Sequence, residues 1–330
     1  MAKKIVPKTD DDTATAPKKT RRTRAAVDAK ATPADSLLAK FPNLMQAASD
    51  AEARLAVKAE EATDSQLALP FWPEQFRALP NEIFRSALFN ARNKRQPRIR
   101  MKSHEIYVIG TAKITYTGEE LRQDDETVWL QLIQLAKSQP AGNPIQFTAL
   151  SFLKAIQWPT NTPSYERLRD CLTRMQATSL QVISERLGDD SGKGISMIPE
   201  FEWKNPTTNK PMRYYTVRIA RPLVRLFGGK GHFTRVEWAQ RLDLPAGLAT
   251  WLHGYLASHA KPHPIKLETI REGAALTSVR LAHVRELVEK ALDELKRVKF
   301  LKSWAIMGPD KDLVVVERAS STSPELEFAE

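Results

Sequence analysis

Ser278, Arg280, His283 and Arg285 crowd the head of a stretch in which Leu281, Val284, Val288, Ala291 and Leu295 recur at helical spacing. That spacing predicts a helix over 278–298, with the aliphatic stripe turned to a core and the four polar residues at its start or on its flanks. An arginine guanidinium is a planar fork of donors that can engage two acceptors at once, as on a guanine edge, and a good pair gives about 1–3 kcal/mol of base discrimination. Arg280 and Arg285 are therefore assigned to duplex contact. His283 stands between such a contact and a solvated helix face, and Ser278 is read first as the helix cap and only second as a DNA contact.

A weaker version of the same arrangement lies upstream. Ser164, Tyr165, Arg167 and Arg169 open a helix expected over 164–177, with Arg174 further along it. Tyr165 could belong to the core instead. Arg92, Asn93, Lys94 and Arg95, with Arg98 and Arg100 close behind, form the densest basic stretch of the folded sequence and suit phosphate binding. Lys302, Lys311 and Arg318 flank an expected hairpin, where they serve either as phosphate contacts or as ordinary surface charge.

The elements that must position these residues follow from pattern and punctuation. Residues 106–117 read as a strand or hairpin, and 125–138 as a helix stopping before Pro140. A helix over 149–157 is capped by Thr148 and closed before Pro159, a turn runs through Asn161, Thr162 and Pro163, and the 164–177 helix comes next. Residues 180–183, 195–202 and 214–219 alternate like strands, and Gly188 to Gly192 reads as a turn. The order returns as a strand over 233–238, helices over 246–258, 267–275 and 278–298, and a hairpin of 300–306 with 313–316 around Gly308. Helices followed by a hairpin, twice, predict an α+β protein of two tandem winged-helix domains. The divisions expected are a disordered basic arm over 1–64 with a short helix near 36–58, a linker over 65–75, a first domain over 76–220, a second over 221–318, and a disordered tail over 319–330.

Composition narrows the class of function. Fifty Lys and Arg face 39 Asp and Glu, a net charge of +11, which favours a polyanionic partner. The single cysteine, Cys171, can neither close an internal disulfide nor build a zinc cluster. No apolar run is long enough to span a bilayer and no secretory signal opens the chain, so a cytoplasmic protein without membrane contact is expected. Gly188 to Gly194 has three residues between Gly188 and Gly192 where a phosphate loop needs four, and Gly194 stands where Ser or Thr would bind magnesium. His259 and His263 are separated by Pro262, which breaks the helix that would align them on a metal. No His-x-His occurs to support metal-dependent nicking. Neither enzyme chemistry, metal nor cofactor is expected.

Several stretches resemble the TrfA family of plasmid replication initiators: RALPNEIFRSALFNARNK from Arg77 to Lys94, KITYTGEELRQDDETVWLQLIQLAK from Lys113 to Lys137, CLTRMQATSL from Cys171 to Leu180 and SHAKPHPIKLETIR from Ser258 to Arg271. The resemblance covers about residues 66–304. It implies binding to direct repeats (iterons) in a plasmid origin, opening of adjacent AT-rich DNA, recruitment of the host initiator and replicative helicase, and a monomer–dimer equilibrium through the first winged helix. It also implies that the helix start holding Arg280 and Arg285 is the principal base reader. Gln66, Leu67, Leu69, Pro70 and Phe71 are similar to the hexapeptide by which bacterial proteins bind the replicative sliding clamp, a glutamine at the pocket rim and apolar side chains within it. The alternative for Leu67, Leu69 and Phe71 is packing against the first domain. The alternative for the whole chain is a winged-helix transcriptional repressor on a plasmid promoter.

Overall fold

The computed structural model describes residue 51 and residues 67–205, 207–228 and 232–319. Apart from residues 51 and 319, the expected arm and tail lie outside the described residues, as does Gln66 of the hexapeptide.

In chain order, β1 (Phe76–Pro80), the one-turn α1 (Asn81–Phe84), β2 (Phe89–Asn90), β3 (Arg100–Ile106), β4 (Lys113–Glu119) and β5 (Leu121–Arg122) precede a first series of elements. That series is α2 (Gln123–Ala136), β6 (Ile145–Phe147), α3 (Ala149–Ala155), α4 (Thr162–Gln176), β7 (Ser179–Ile183), a 3-10 turn over Glu185–Asp190, β8 (Glu200–Lys204) and β9 (Pro211–Arg218). After α5 (Arg221–Arg225), β10 (Phe233–Glu237) and α6 (Trp238–Leu242) comes a second series: α7 (Leu248–Ala257), β11 (Ile265–Lys266), α8 (Leu267–Gly273), α9 (Leu281–Arg297), β12 (Leu301–Met307) and β13 (Leu313–Arg318).

The two series share one topology. In each, the short strand ahead of the second helix pairs antiparallel with the last strand, Ile145 opposite Val217 and Ile265 opposite Val314, giving the sheet orders β6-β9-β8 and β11-β13-β12. The first series carries an addition. Strand β7 keeps an antiparallel bridge from Leu180 to Ile195 and in addition joins the sheet of β3 and β4, with Lys113 opposite Ile183, because Leu180 and Val182 bury beside Ile114 and Tyr116.

Local chemistry sets the helix ends. The Asp125 carboxylate, three residues into α2, accepts the Arg122 N–H at 2.8 Å, and Asp124, Asp125 and Glu126 place negative charge at the positive end of the helix. Thr148 caps α3 by accepting from Ser151 N at 3.1 Å. Helix α4 starts earlier than the sequence suggests. Asn161 caps it through Ser164 N at 3.1 Å, and Pro163, in the first turn, lacks only an N–H that would have had no partner there. Helix α9 starts later, at Leu281 rather than 278. The chain leaves α8 through Ala275 at φ 49°, with Leu276 N bonded to Arg271 O at 2.8 Å, and Arg280 is still extended where it precedes the first turn. Ser278 therefore caps nothing, and Leu281, expected in the core stripe, is 40% exposed. Val284, Val288, Ala291, Leu292 and Leu295 carry the buried face.

Two hydrophobic clusters form, one spanning Leu69 to Trp238 and one joining Ala91 to residues from Leu244 to Val314. They divide after Trp238 rather than at 220. The reason is long-range pairing: β1 and β10 are antiparallel, Phe76 opposite Glu237, and the Trp238 indole donates to Ala155 O at 2.9 Å beneath the Arg77 guanidinium. Buried contacts tie the second series to the rest, partly through Arg241 of α6, which also donates to Thr250 O of α7 at 3.1 Å. Arg241, 1% exposed, lies 3.3 Å from Glu126 and donates to Gln123 at 3.2 Å, while Trp251 donates to Ser86 O at 3.1 Å. Gly254 is required at this seam, since a Cβ there would stand 2.4 Å from the Phe84 ring.

Candidate nucleic-acid interface

Arg167 in the second turn of α4, the approach to and first turn of α9 and the basic loop after β2 open on one cleft of about 830 Å³, lined among others by Arg92, Lys94, Asp124, Arg167, Ser278 and His283. The turn at Gly247 before α7 closes one side.

Within the basic loop the charges divide. Arg92 turns inward, its Nε 3.4 Å from the fully buried Glu120 carboxylate. Arg98 does the same, donating to Asp125 at 2.7 Å and to Asp124 at 2.9 Å. Arg122 laces the loop from beneath through the carbonyls of Asn93, Gln96 and Pro97 at 3.0 to 3.1 Å. Lys94 and Arg95 remain exposed, with the Asn93 side chain accepting from Arg95 N at 2.9 Å to fix the turn, and Arg100 is exposed on β3. The densest basic run thus offers fewer free cations than its sequence promises.

The α4 candidates are mostly engaged within the protein. Arg167 reaches the cleft but lies 3.3 Å from Asp124 and 4.0 Å over the Trp158 ring. Arg169 stacks at 4.7 Å on Trp203, facing hairpin β8–β9 rather than the cleft. Tyr165 packs half-buried against the first core, the second of the two roles its sequence allowed. Ser164 is buried, and Arg174 is spent on Asp125 and Glu119. Burial alone would raise the Asp124 carboxyl, but Arg98 and then Arg167 pull it below its ordinary value. Its neighbour Asp125 is raised by deeper burial and by Asp124, while Arg98 is held above its usual range by Asp125 and Asp124 against its own burial.

The α9 candidates fare differently. The Arg280 side chain is exposed and meets no acceptor among the described residues. His283 is exposed, 3.4 Å from Glu286. Arg285 is committed to the hairpin: its Nε and Nη2 donate to the Lys311 and Asp310 carbonyls, both at 2.9 Å, so its fork holds the β12–β13 turn against the helix and is not free for a base. On that hairpin Lys302 pairs with Glu317 at 2.7 Å and Arg318 turns in beneath the Phe300 ring, leaving Lys311 exposed.

The hexapeptide is docked rather than presented. Ala68 bridges Pro140, Ala141 N donates to Leu67 O at 2.8 Å, and Leu69 is 7% exposed in the first core; Phe71 stands out at 79%. Sequence reasoning missed the acidic floor of the cleft. The run Gln123-Asp124-Asp125-Glu126 behind Arg122 was its one legible signal, since an acid three residues past a helix start is placed to bond backwards.

No helix among the described residues is long and apolar enough to cross a membrane. The molecule is an α+β protein whose fold is similar to that of the Pi initiator protein solved in complex with iteron DNA, with a TM-score of 0.50 and 12% identity over 75% of this chain and 99% of that one. The TrfA protein family model matches residues 29–318, and the chain belongs to that family. The plasmid replication initiator protein TrfA of Escherichia coli is 37% identical over 227 residues, which are 68% of this chain and 58% of that protein's length.

Proposed function

We propose that this protein is a plasmid replication initiator that binds iteron direct repeats as duplex DNA through two tandem winged-helix units, α2 to β9 and α7 to β13, with the second as principal reader. One observation carries the proposal: Arg167 of α4, Ser278 and His283 at the head of α9 and the Lys94 loop open on a single cleft, so one duplex can meet all three. The protein acts by binding, without catalysis or cofactor. Its work is to position and open the origin and to gather the host initiator, the replicative helicase and the sliding clamp, in the cytoplasm, under a monomer–dimer balance that also serves copy control. Footprinting of the full chain on origin DNA tests this at physiological salt. Protection of the repeats in preference to random duplex supports it, and equal affinity for both overturns it.

Clamp capture by Gln66 to Phe71 belongs to the same reading and is open only to a form in which Leu69 has left the core. Phe71→Ala removes an exposed ring without disturbing that core, and loss of capture on immobilised clamp is the expected result. Undiminished capture assigns the clamp to another surface.

A further inference from the structure

We propose that Val279 and Leu281 read thymine 5-methyl groups on either side of the base held by Arg280, which makes them determinants of repeat specificity; this rests on the reading above that the head of α9 enters a duplex groove. Val279, two residues ahead of α9, is 85% exposed and Leu281, its first residue, 40%, though the helix buries Val284, Val288, Ala291, Leu292 and Leu295. Neither apolar side chain serves the core, and both stand in water beside the cleft. Their surroundings indicate what covers them. Arg280 between them is exposed and unpaired among the described residues, Ser278, His283 and Lys94 line the cleft, and Ala282 is exposed and small enough to let another surface come close. A protein partner would match a continuous apolar patch; these are isolated methyl groups among cations and polar side chains. The floor of a major groove has that character, with guanine acceptors suited to an arginine fork and the thymine C5-methyl as its one apolar projection.

The test uses duplexes that the full chain itself enriches from a random-sequence pool. Each thymine is replaced singly by deoxyuridine, which deletes only the methyl group. Wild-type protein is expected to lose about fourfold in affinity at one or two positions, the worth of about one buried methyl. Val279→Ala and Leu281→Ala, which trim exposed side chains and leave the core whole, should each become indifferent to deoxyuridine at one of those positions while binding unselected duplex as before. Sensitivity at no thymine, or variants that keep the wild-type pattern throughout, overturns the inference and leaves the initiator reading standing. A chain that enriches no sequence at all overturns both.

Discussion

Helices α4 and α9 hold the same place in the two series, yet their charges have gone to different ends. In α4, Arg174 is bound to Asp125, Arg169 lies on Trp203, and Arg167 divides itself between Asp124 and Trp158. In α9, Arg280 is unpaired among the described residues and Arg285 braces the following hairpin. The first helix uses its cations to build the protein, and the second leaves one exposed at its head and spends one on holding the hairpin that follows. Counting positive residues at a helix head does not separate these cases; what separates them is whether buried carboxylates stand within reach.

The sharpest way to break this contrast is Asp125→Ala. Its carboxylate, with no exposed surface, is shared by Arg98, Arg174 and the Arg122 N–H, so its loss leaves Arg98 to Asp124 alone, Arg174 to the more distant Glu119, and the helix start without its bond. A cost of about 3 kcal/mol is expected in urea unfolding, the low end of the penalty for breaking a buried ion pair, because Asp124 and Glu119 remain as counter-charges. A loss below about 1 kcal/mol would show that water repairs the network and that α4 is no more structural than α9.

Next in size is an acid effect placed in the second series. Burial, and then the charges of Arg241 and Arg318, push the His253 pKa from 6.5 down to about 3. Its Nε2 sits 3.0 Å from Gln240 Oε1 and its ring meets Phe300 edge-on at 4.5 Å, while Nδ1 is buried with no hydrogen-bond partner. Below pH 6.5 the unfolded chain takes up a proton that the folded state refuses, so stability is whole above 6.5 and declines as pH falls toward about 3. By pH 5 the decline should reach about 2 kcal/mol. Unfolding midpoints measured from pH 7 to pH 5 should flatten in His253→Gln; an unchanged slope would assign the acid sensitivity to the carboxylates of the first series.

Much of this was legible beforehand because it is local. Thr148 and the turn at Gly308 mark their elements, and the Val284, Val288, Ala291, Leu295 spacing fixes the buried face of α9. What escaped depends on partners distant in sequence. Strand β10 joins β1 across about 150 residues, moving the boundary between cores, and β7 gains β4 as a second neighbour beside Ile114 and Tyr116. Arg92, Arg98 and Arg174 read as free cations because Glu120 and Asp125 reach them only in the fold. Leu281 fits the stripe by spacing, but starting the helix at 281 instead of 278 leaves it in water.

Base readout separates the two helices directly. Arg280→Ala should cost about 1–3 kcal/mol on repeat DNA and much less on random duplex. Equal losses on both, in paired titrations, would reduce Arg280 to a phosphate contact and remove the distinction from α4. Arg285→Ala should cost only about 1 kcal/mol of stability, through two lost hydrogen bonds, with faster amide exchange confined to the turn over residues 308–312.

The smallest effect bears on the shared cleft. Arg167 can reach phosphate only by leaving Asp124, and Asp124 keeps Arg98 when it does, so the exchange trades one anion for another and gains little. Arg167→Ala should therefore weaken all duplexes alike by less than about 1 kcal/mol and lower the magnitude of the salt slope by about 1, the signature of a single phosphate contact. A slope identical to wild type would mean that Asp124 retains Arg167 even against DNA, which would make α4 wholly structural and leave α9 and the Lys94 loop to hold the duplex.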